Sequence, residues 1–202
     1  MKSRPLLSAT RAAEIWTETL SVRRQLYTDS DFFKMPEVLD ELFNASNHWV
    51  IKTYRTDETE DFKRKAGIVV LGDWVTLTAD ERLIERAKHG CKLSNFILAH
   101  EFGHLILNHH ANSAITKNFQ LFAGPNGMTN SPPTQEELEA NYAGVFFQCG
   151  IALFESRRSA LELARRAFSD VDYVKKAQAI VRLDAFQREL SRPKPKYERV
   201  IL

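Results

Sequence analysis

The spacing of apolar residues along the chain predicts helices at its start. Residues 7–26, LSATRAAEIWTETLSVRRQL, carry apolar side chains at helical intervals, and Ser8 or Thr10 is available as the N-cap. The segment MPEVLDELF follows, and its Pro36 suits the first turn of a helix. We therefore predict two helices before the first strand.

The period of the pattern then changes from helix to strand. HWVIKTYR (48–55) and GIVVLGDWVTLT (67–78) are rich in β-branched and aromatic residues. Gly72 and Asp73 stand between two such runs, which is the signal of a two-residue hairpin turn. Helical spacing returns at about Ser94. This part of the chain predicts a small sheet followed by a helix.

The second half of the sequence predicts an irregular stretch and then more helices. Residues 111–133 look irregular and end in the loop-like AGPNGMTNSPP. The predicted helices run from Ser131–Thr134 to about Phe154, from Arg157 to Phe168 and from Asp170 to Leu190. Ser169 and Asp172 have the spacing of a capping box for the last helix. The tail after it is expected to be extended.

The order of elements, helices then a small sheet then helices, indicates an α+β fold. A chain of 202 residues can bury one good core together with a helical appendage. We expect one domain over residues 1–155, with its core at about 36–155, and a C-terminal helical extension and tail over 156–202.

Composition and charge narrow the class of protein. Apolar residues make up 44% of the chain and charged residues 27%, and the net charge of +2 does not by itself indicate a polyanionic partner. The sequence has neither an apolar run of membrane-spanning length nor an apolar segment of secretory length after its basic start. We expect a cytoplasmic protein whose two cysteines, Cys91 and Cys149, stay reduced.

The stretch NFILAHEFGHLILNHH (95–110) contains the strongest chemical signal. His100, Glu101 and His104 spell H-E-x-x-H, and on a helix the two histidines lie on one face, one turn apart. Two such imidazoles can converge on a Zn²⁺ ion, and Glu101 can take a proton from a water that the metal activates. Apolar residues surround the motif, so the helix should be buried, where unpartnered imidazoles would be costly. The stretch therefore predicts a zinc site.

The third protein ligand has several candidates. His110 has the spacing of the longer pattern H-E-x-x-H-x-x-G-x-x-H, but Leu107 stands where that pattern needs glycine for its turn. The alternative is a glutamate of TQEELEANYAGVFF (134–147), since a later glutamate commonly completes such a site. Glu137 and Glu139 flank the apolar stripe of that helix on opposite sides. Glu136 lies further from the stripe.

Glu137 has a specific argument for and a specific argument against it. Asn141 follows one turn later on the same side and could hydrogen-bond within the site. However, Thr134 and Glu137 also have the spacing of a capping box, which would use the carboxylate at the helix start. A helix that begins at Ser131 would release Glu137 from capping.

These paired motifs resemble the ImmA/IrrE family of zinc metallopeptidase domains. SNFILAHEFGHLILNHH and, about thirty residues later, EELEANYAGVFF are similar to that family's two metal-binding helices, and the resemblance covers about residues 36–155. It implies a small zincin-like domain in which His100, His104 and Glu137 bind zinc and Glu101 is the general base. Asn141 matches the family's residue one turn after the third ligand. VFFQCG departs from the apolar stretch usual after the second motif.

The resemblance also implies an activity and a kind of partner. The expected function is a zinc endopeptidase of narrow specificity that hydrolyses a peptide bond in a repressor- or antitoxin-like protein. The alternative is a regulatory module that binds such a partner without cleaving it. Tyr142, His109 and His110 are the candidates for stabilising the oxyanion, and DWVTLT could be an edge strand that pairs with an extended substrate.

The C-terminal part carries pairs of basic residues. Arg157-Arg158, Arg165-Arg166 and Lys175-Lys176 make residues 157–202 basic. Such pairs are more often the solvated faces of amphipathic helices than a contact with DNA phosphates. We therefore expect a protein partner rather than DNA, and no contact with a membrane.

Overall fold

The structure is a computed structural model that describes residues 7–55, 66–109, 134–155 and 158–193. Over these residues the chain has an α+β fold with eight α-helices and a three-stranded mixed sheet. In chain order the elements are α1 (Ala9–Leu26), α2 (Met35–Ala45), β1 (Trp49–Tyr54), β2 (Ala66–Leu71), β3 (Trp74–Asp80), α3 (Glu81–Lys88), α4 (Lys92–Ile106), α5 (Gln135–Cys149), α6 (Ala160–Arg166), α7 (Val171–Val181) and α8 (Asp184–Leu190).

The first two helices begin where the sequence predicts. Ser8 is the N-cap of α1, and its hydroxyl oxygen accepts a hydrogen bond from the backbone N–H of Arg11 at 3.1 Å. Pro36 lies in the first turn of α2, where its missing N–H removes no helical hydrogen bond. Both predictions are confirmed.

The sheet contains the predicted hairpin, but its strand order differs from the expectation. β2 and β3 pair antiparallel around the turn at Gly72, which has a φ of 58°. β1 pairs parallel to β3, so the order is β1-β3-β2, and all of DWVTLT after Asp73 lies in the central strand. The prediction that DWVTLT is an edge strand is wrong, because a hairpin signal does not show which of its two strands takes a third partner.

One helix was not predicted. Asp80 ends β3 and caps α3, because its carboxylate accepts a hydrogen bond from the backbone N–H of Arg82. Leu83, Ile84 and Ala87 are the buried face of this helix. The chain then turns at Gly90, whose φ is 81°, and α4 follows immediately.

The helices after α4 depart from the prediction at three places. α5 ends at Cys149, and residues Gly150–Phe154 form a 3₁₀ turn instead of continuing the helix. The cap of α7 is Asp170, whose carboxylate accepts from two backbone N–H groups, whereas Ser169 is buried. The predicted last helix is two helices, because the backbone is extended at Leu183, between α7 and α8.

Two hydrophobic clusters meet at α4 and α5. The first cluster joins α1 and α5 to the C-terminal helices, with Trp16, Phe146 and Phe186 among its members. The second joins α2, α3 and the sheet to α4, and Leu98 belongs to it. The C-terminal helices thus pack on the same core as α1 and α5. A domain boundary after residue 155 stays a prediction.

The α4 and α5 helices approach each other closely because glycine faces the partner helix on both. A Cβ atom built on Gly103 would lie 2.6 Å from the carbonyl oxygen of Ala140. One built on Gly144 would lie 3.0 Å from the backbone of Ala99. This packing sets the distance between the side chains that the two helices present to each other.

Two further features of the surface bear on the expected partners. Among the helices that the structure describes, none is both long enough and apolar enough to cross a membrane. The basic side chains Arg165, Arg166, Lys175 and Lys176 are exposed on α6 and α7. This exposure agrees with the solvated helix faces that the sequence predicts.

Candidate metal centre

His100 and His104 are brought together by one turn of α4. Their Nε2 atoms are 3.1 Å apart, and both side chains are buried beneath α5. The i and i+4 spacing of a helix places the two rings on the same face, as the sequence predicts.

Glu137 approaches the two histidines from α5. Its carboxylate oxygens lie 3.1 Å from Nε2 of His100 and 3.5 Å from Nε2 of His104. Thr134 is the N-cap of α5, and its hydroxyl accepts from the backbone N–H of Glu137 at 3.3 Å. The carboxylate of Glu137 nevertheless faces the histidines. The backbone N–H of Glu137 therefore takes part in the helix cap, while its carboxylate is directed at the histidines.

These three side chains form a group that could hold a metal ion. Tetrahedral coordination with bonds of about 2.1 Å separates neighbouring ligand atoms by about 3.4 Å, which the observed distances of 3.1–3.5 Å match closely. The group is partly open, since the side chain of Glu137 is 20% exposed. Two imidazoles and one carboxylate are one of the donor sets found in metal sites of proteins, catalytic zinc sites among them.

Asn141 determines which nitrogen of His100 carries the proton. Its amide Nδ2 donates to the backbone carbonyl of Glu137 at 2.7 Å, so its Oδ1 faces Nδ1 of His100, at 3.0 Å. Nδ1 must therefore donate, and Nε2 of the neutral ring has a lone pair directed at the carboxylate of Glu137. A metal ion held between this nitrogen and the carboxylate would be a partner for both.

The carboxylate of Glu137 is ionised by its surroundings. Burial alone would raise its pKa, but the adjacent rings of His100 and His104 hold the pKa well below its ordinary value. A carboxylate that stays charged is the form that binds a cation.

Glu101 lies beside the ligand group in a different environment. It is half-buried on α4, next to the edge strand β2, and its carboxylate accepts a hydrogen bond from the backbone N–H of Ile68. Burial raises its pKa to about 8, although the nearby His104 acts in the opposite direction. A bound dication would bring this pKa down, since positive charge favours the carboxylate. Without such an ion, the raised pKa makes this carboxyl group a better proton acceptor than an ordinary glutamate, which is the property of a general base.

His109 and Glu139 lie behind His104, on the side away from Glu137. Asn108 adopts a left-handed φ of 52° after α4, and the chain folds back so that the backbone N–H of His109 donates to the carbonyl of His104. Nδ1 of His109 then lies 2.9 Å from Nδ1 of His104. Glu139 binds Arg11 of α1 at 2.7 Å. Their predicted roles, His109 as helper and Glu139 as alternative ligand, stay predictions.

The contact of His109 with His104 was missed, although the sequence contains a signal for it. Asparagine is one of the few residues that readily end a helix in left-handed geometry, and Asn108 stands directly after the last turn. The left-handed residue is therefore Asn108, one position after the Leu107 at which the longer pattern needs glycine.

The remaining candidates lie elsewhere. Tyr142 is buried in the first hydrophobic cluster, where its ring contacts those of Phe146 and Tyr173, and burial raises the pKa of its hydroxyl. Its role as an oxyanion helper stays a prediction. Glu136 is half-buried in the first turn of α5 and is not part of the ligand group. His110 lies outside the described residues.

Similarity to known proteins does not decide the function. Comparison of the chain with protein-family models, curated proteins and solved structures finds no match. Function is therefore inferred from the donor set, from Glu101 and from the strand that lies beside them.

Proposed function

We propose that the protein is a zinc-dependent endopeptidase of narrow specificity with a zincin-like arrangement of its metal site. The observation that carries the proposal is the convergence of His100, His104 and Glu137 with a second glutamate, Glu101, held next to them. Three protein donors and one open position are typical of catalytic zinc, whereas structural zinc sites are usually closed by four protein ligands. The resemblance of the two helices to the ImmA/IrrE family supports the same reading.

Each residue of the site would have a distinct role in hydrolysis. A bound zinc ion would supply Lewis acidity, which polarises a carbonyl group and makes water acidic near neutral pH. Glu101 would take the proton from the attacking water and transfer it to the leaving amine. The backbone N–H of Ile68 holds the carboxylate of Glu101 in place through the hydrogen bond described above. Asn141 keeps His100 in the tautomer that binds a metal through Nε2.

An extended peptide would fit along β2, which is an outer strand of the sheet over the described residues and lies beside the site. The N–H group of Ile68 points away from β3 and towards Glu101. By the alternation of a strand, the N–H and C=O groups of Val70 point to the same outer edge. A substrate that adds to this edge as a further strand would pass beside the ligand group, and its main chain would supply most of the contacts.

The proposed substrate is a regulatory protein of repressor or antitoxin type. This part of the proposal rests on the family resemblance, which implies a protein partner rather than a metabolite. The competing function is a regulatory module that binds the same kind of partner without cleaving it. The presence of Glu101 favours hydrolysis, because a binding module has no need for a base at this position.

The test is co-expression with the product of the neighbouring gene, using wild type, Glu101→Gln and Glu85→Gln. Glu85 is an exposed glutamate on α3 that pairs with Lys88, so its substitution is a matched control. We expect the partner to be cleaved with wild type and Glu85→Gln but to stay intact with Glu101→Gln, with the new termini identified by mass spectrometry. Equal effects of wild type and Glu101→Gln on the partner would refute proteolysis and leave the binding module.

A further inference from the structure

A continuous series of polar contacts connects the ligand His104 to the N-terminal helix. Nδ1 of His104 lies 2.9 Å from Nδ1 of His109, and Nε2 of His109 faces Oε2 of Glu139 at 3.5 Å. The same Oε2 accepts a hydrogen bond from Nη2 of Arg11 at 2.7 Å, while Oε1 accepts from Nε2 of Gln135 at 3.0 Å. The series joins α1, α4 and α5 in space, although Arg11 and Glu139 are 128 positions apart in sequence.

The nitrogen that carries the proton in His109 and in His104 can be inferred by starting from Glu139. Glu139 is a carboxylate paired with a guanidinium, so it can only accept, and it therefore favours the tautomer of His109 whose proton is on Nε2, the atom that faces Oε2 at 3.5 Å. In neutral His109 the other nitrogen, Nδ1, then has the lone pair and accepts from Nδ1–H of His104. Nε2 of His104 is consequently left without a proton, and this is the atom that faces Glu137 and Nε2 of His100.

The opposite pair of tautomers would prevent His104 from binding a metal. If Nδ1 of His109 donated to His104, neutral His104 would carry its proton on Nε2 and have no lone pair for a metal. Burial strengthens the selection, because His109 and Glu139 are each only 7% exposed and water competes little for these contacts. Outer hydrogen bonds of this kind orient metal-binding histidines and raise their basicity.

We propose that Arg11, Glu139 and His109 are positioning residues that hold His104 in its metal-binding tautomer and orientation and thereby set the affinity of the site for zinc. Helix α1 would then influence the metal centre through Arg11, although it contributes no ligand. His100 is held differently, by the neutral amide of Asn141. The proposal rests on the metal-binding part of the proposed function and does not depend on proteolysis.

The experiment measures zinc affinity by competition with a chromophoric chelator for purified full-length protein. The variants are Glu139→Gln, Arg11→Met and His109→Phe, and the control is Arg24→Met, which removes an arginine of the same helix whose partner is Asp29. We expect the first three to bind zinc roughly 10- to 100-fold more weakly than wild type, and Arg24→Met to be unchanged. His109→Asn keeps an acceptor near Nδ1 and should lose less affinity than His109→Phe.

Two further measurements separate positioning from general folding. The absorption spectrum of the cobalt-substituted protein should change in Glu139→Gln, since the orientation of a ligand ring alters the metal geometry, and should stay the same in Arg24→Met. The double variant Arg11→Met/Glu139→Gln should lose no more affinity than Glu139→Gln alone, because both act through one contact.

The outcomes distinguish this inference from the proposed function. Equal zinc affinities and equal cobalt spectra for wild type and Glu139→Gln would overturn the role of the series while leaving the metal centre intact. A loss of affinity shared fully by Arg24→Met would also overturn it. If wild type itself binds no zinc, the proposed function fails, and the positioning role fails with it.

Discussion

Two glutamates on α5 show how position on a helix decides the role of a residue. Glu137 and Glu139 are two residues apart, so they point about 200° away from each other. Glu137 faces the histidines of α4, whereas Glu139 faces Arg11 of α1 and the ring of His109. The same carboxylate group is thus a candidate metal ligand at one position and a partner of Arg11 and His109 at the other.

The first prediction at this scale concerns the ligand set. His104→Ala and Glu137→Ala should each reduce the bound zinc to near background, because removal of one of three protein donors leaves two. His110→Ala and Glu136→Ala should retain zinc. Elemental analysis of the purified variants after dialysis gives the stoichiometry. Full zinc in Glu137→Ala together with loss in His110→Ala would show that the third ligand is assigned wrongly.

A second prediction concerns the two cysteines. Burial lowers the reactivity of Cys149 and raises its pKa to about 12. For half-buried Cys91 burial acts in the same direction, but the nearby hydroxyl of Ser94 and the backbone N–H groups of Ser94 and Leu93, at the start of α4, outweigh it and lower the pKa. The thiolate fraction of Cys91 should therefore rise at lower pH than in an ordinary cysteine.

Alkylation with iodoacetamide between pH 6 and 9, followed by mass spectrometry, measures this difference. Cys91 should be modified first, and Cys149 should stay unmodified until the protein unfolds. The variant Ser94→Ala should shift the pH profile of Cys91 upwards. Preferential modification of Cys149 in the folded protein would contradict the burial that the structure assigns to it.

At the scale of elements, the close packing of α4 against α5 determines whether the site can form. Alanine in place of glycine within a helix ordinarily stabilises the helix by about 1 kcal/mol. At Gly103 the added Cβ would lie 2.6 Å from a backbone oxygen of Ala140, and at Gly144 it would lie 3.0 Å from the backbone of Ala99. Backbone atoms cannot move aside as a flexible side chain can, so the helices must separate.

We therefore predict that Gly103→Ala and Gly144→Ala both lower the free energy of unfolding, by about 1–3 kcal/mol, with the larger effect at Gly103. Zinc affinity should fall in the same order, because Glu137 moves away from the histidines as the helices separate. Urea unfolding of the apo-proteins and chelator competition measure the two effects. A gain in stability from Gly103→Ala would show that the helices are further apart than the structure describes.

The sequence predicts elements with strong local signals and fails where the deciding contact is distant. The hairpin at Gly72-Asp73 and the cap at Ser8 follow from local chemistry, and both are found. The eight-residue helix α3 was missed because it follows directly on β3 and offers only two turns of pattern. The central position of β3 depends on its pairing with β1, which no local signal reports.

The same distinction applies to the site. His100 and His104 could be identified from their spacing alone, since one helix turn brings them together. To predict Glu137 as the third ligand, the two motifs had to be considered together, because the packing of α4 on α5 is a tertiary contact. The partnership of Glu139 with Arg11 could not be predicted, since it depends on where α1 packs across α5.

For the whole molecule, the ligand group lies where the two hydrophobic clusters meet. α4 contributes Phe96 to the first cluster and Phe102 to the second, and the histidines lie on the face that it turns towards α5. An ion bound here would link α4 and α5, and through Glu139 and Arg11 also α1. Metal binding should therefore stabilise the entire fold rather than one local segment.

The resulting prediction is that chelation lowers the melting temperature of wild type. Free zinc at 100 times its dissociation constant stabilises the native state by about 2.7 kcal/mol, provided that the unfolded chain does not bind it. For a chain of this length, 1 kcal/mol corresponds to a shift of about 2–4 °C, so removal of zinc should lower Tm by about 5–10 °C. Scanning calorimetry with zinc and with excess chelator measures the shift. Glu137→Ala is the control and should melt at the same temperature in both conditions, and a shift in that variant as large as in wild type would show that the stabilising ion binds elsewhere.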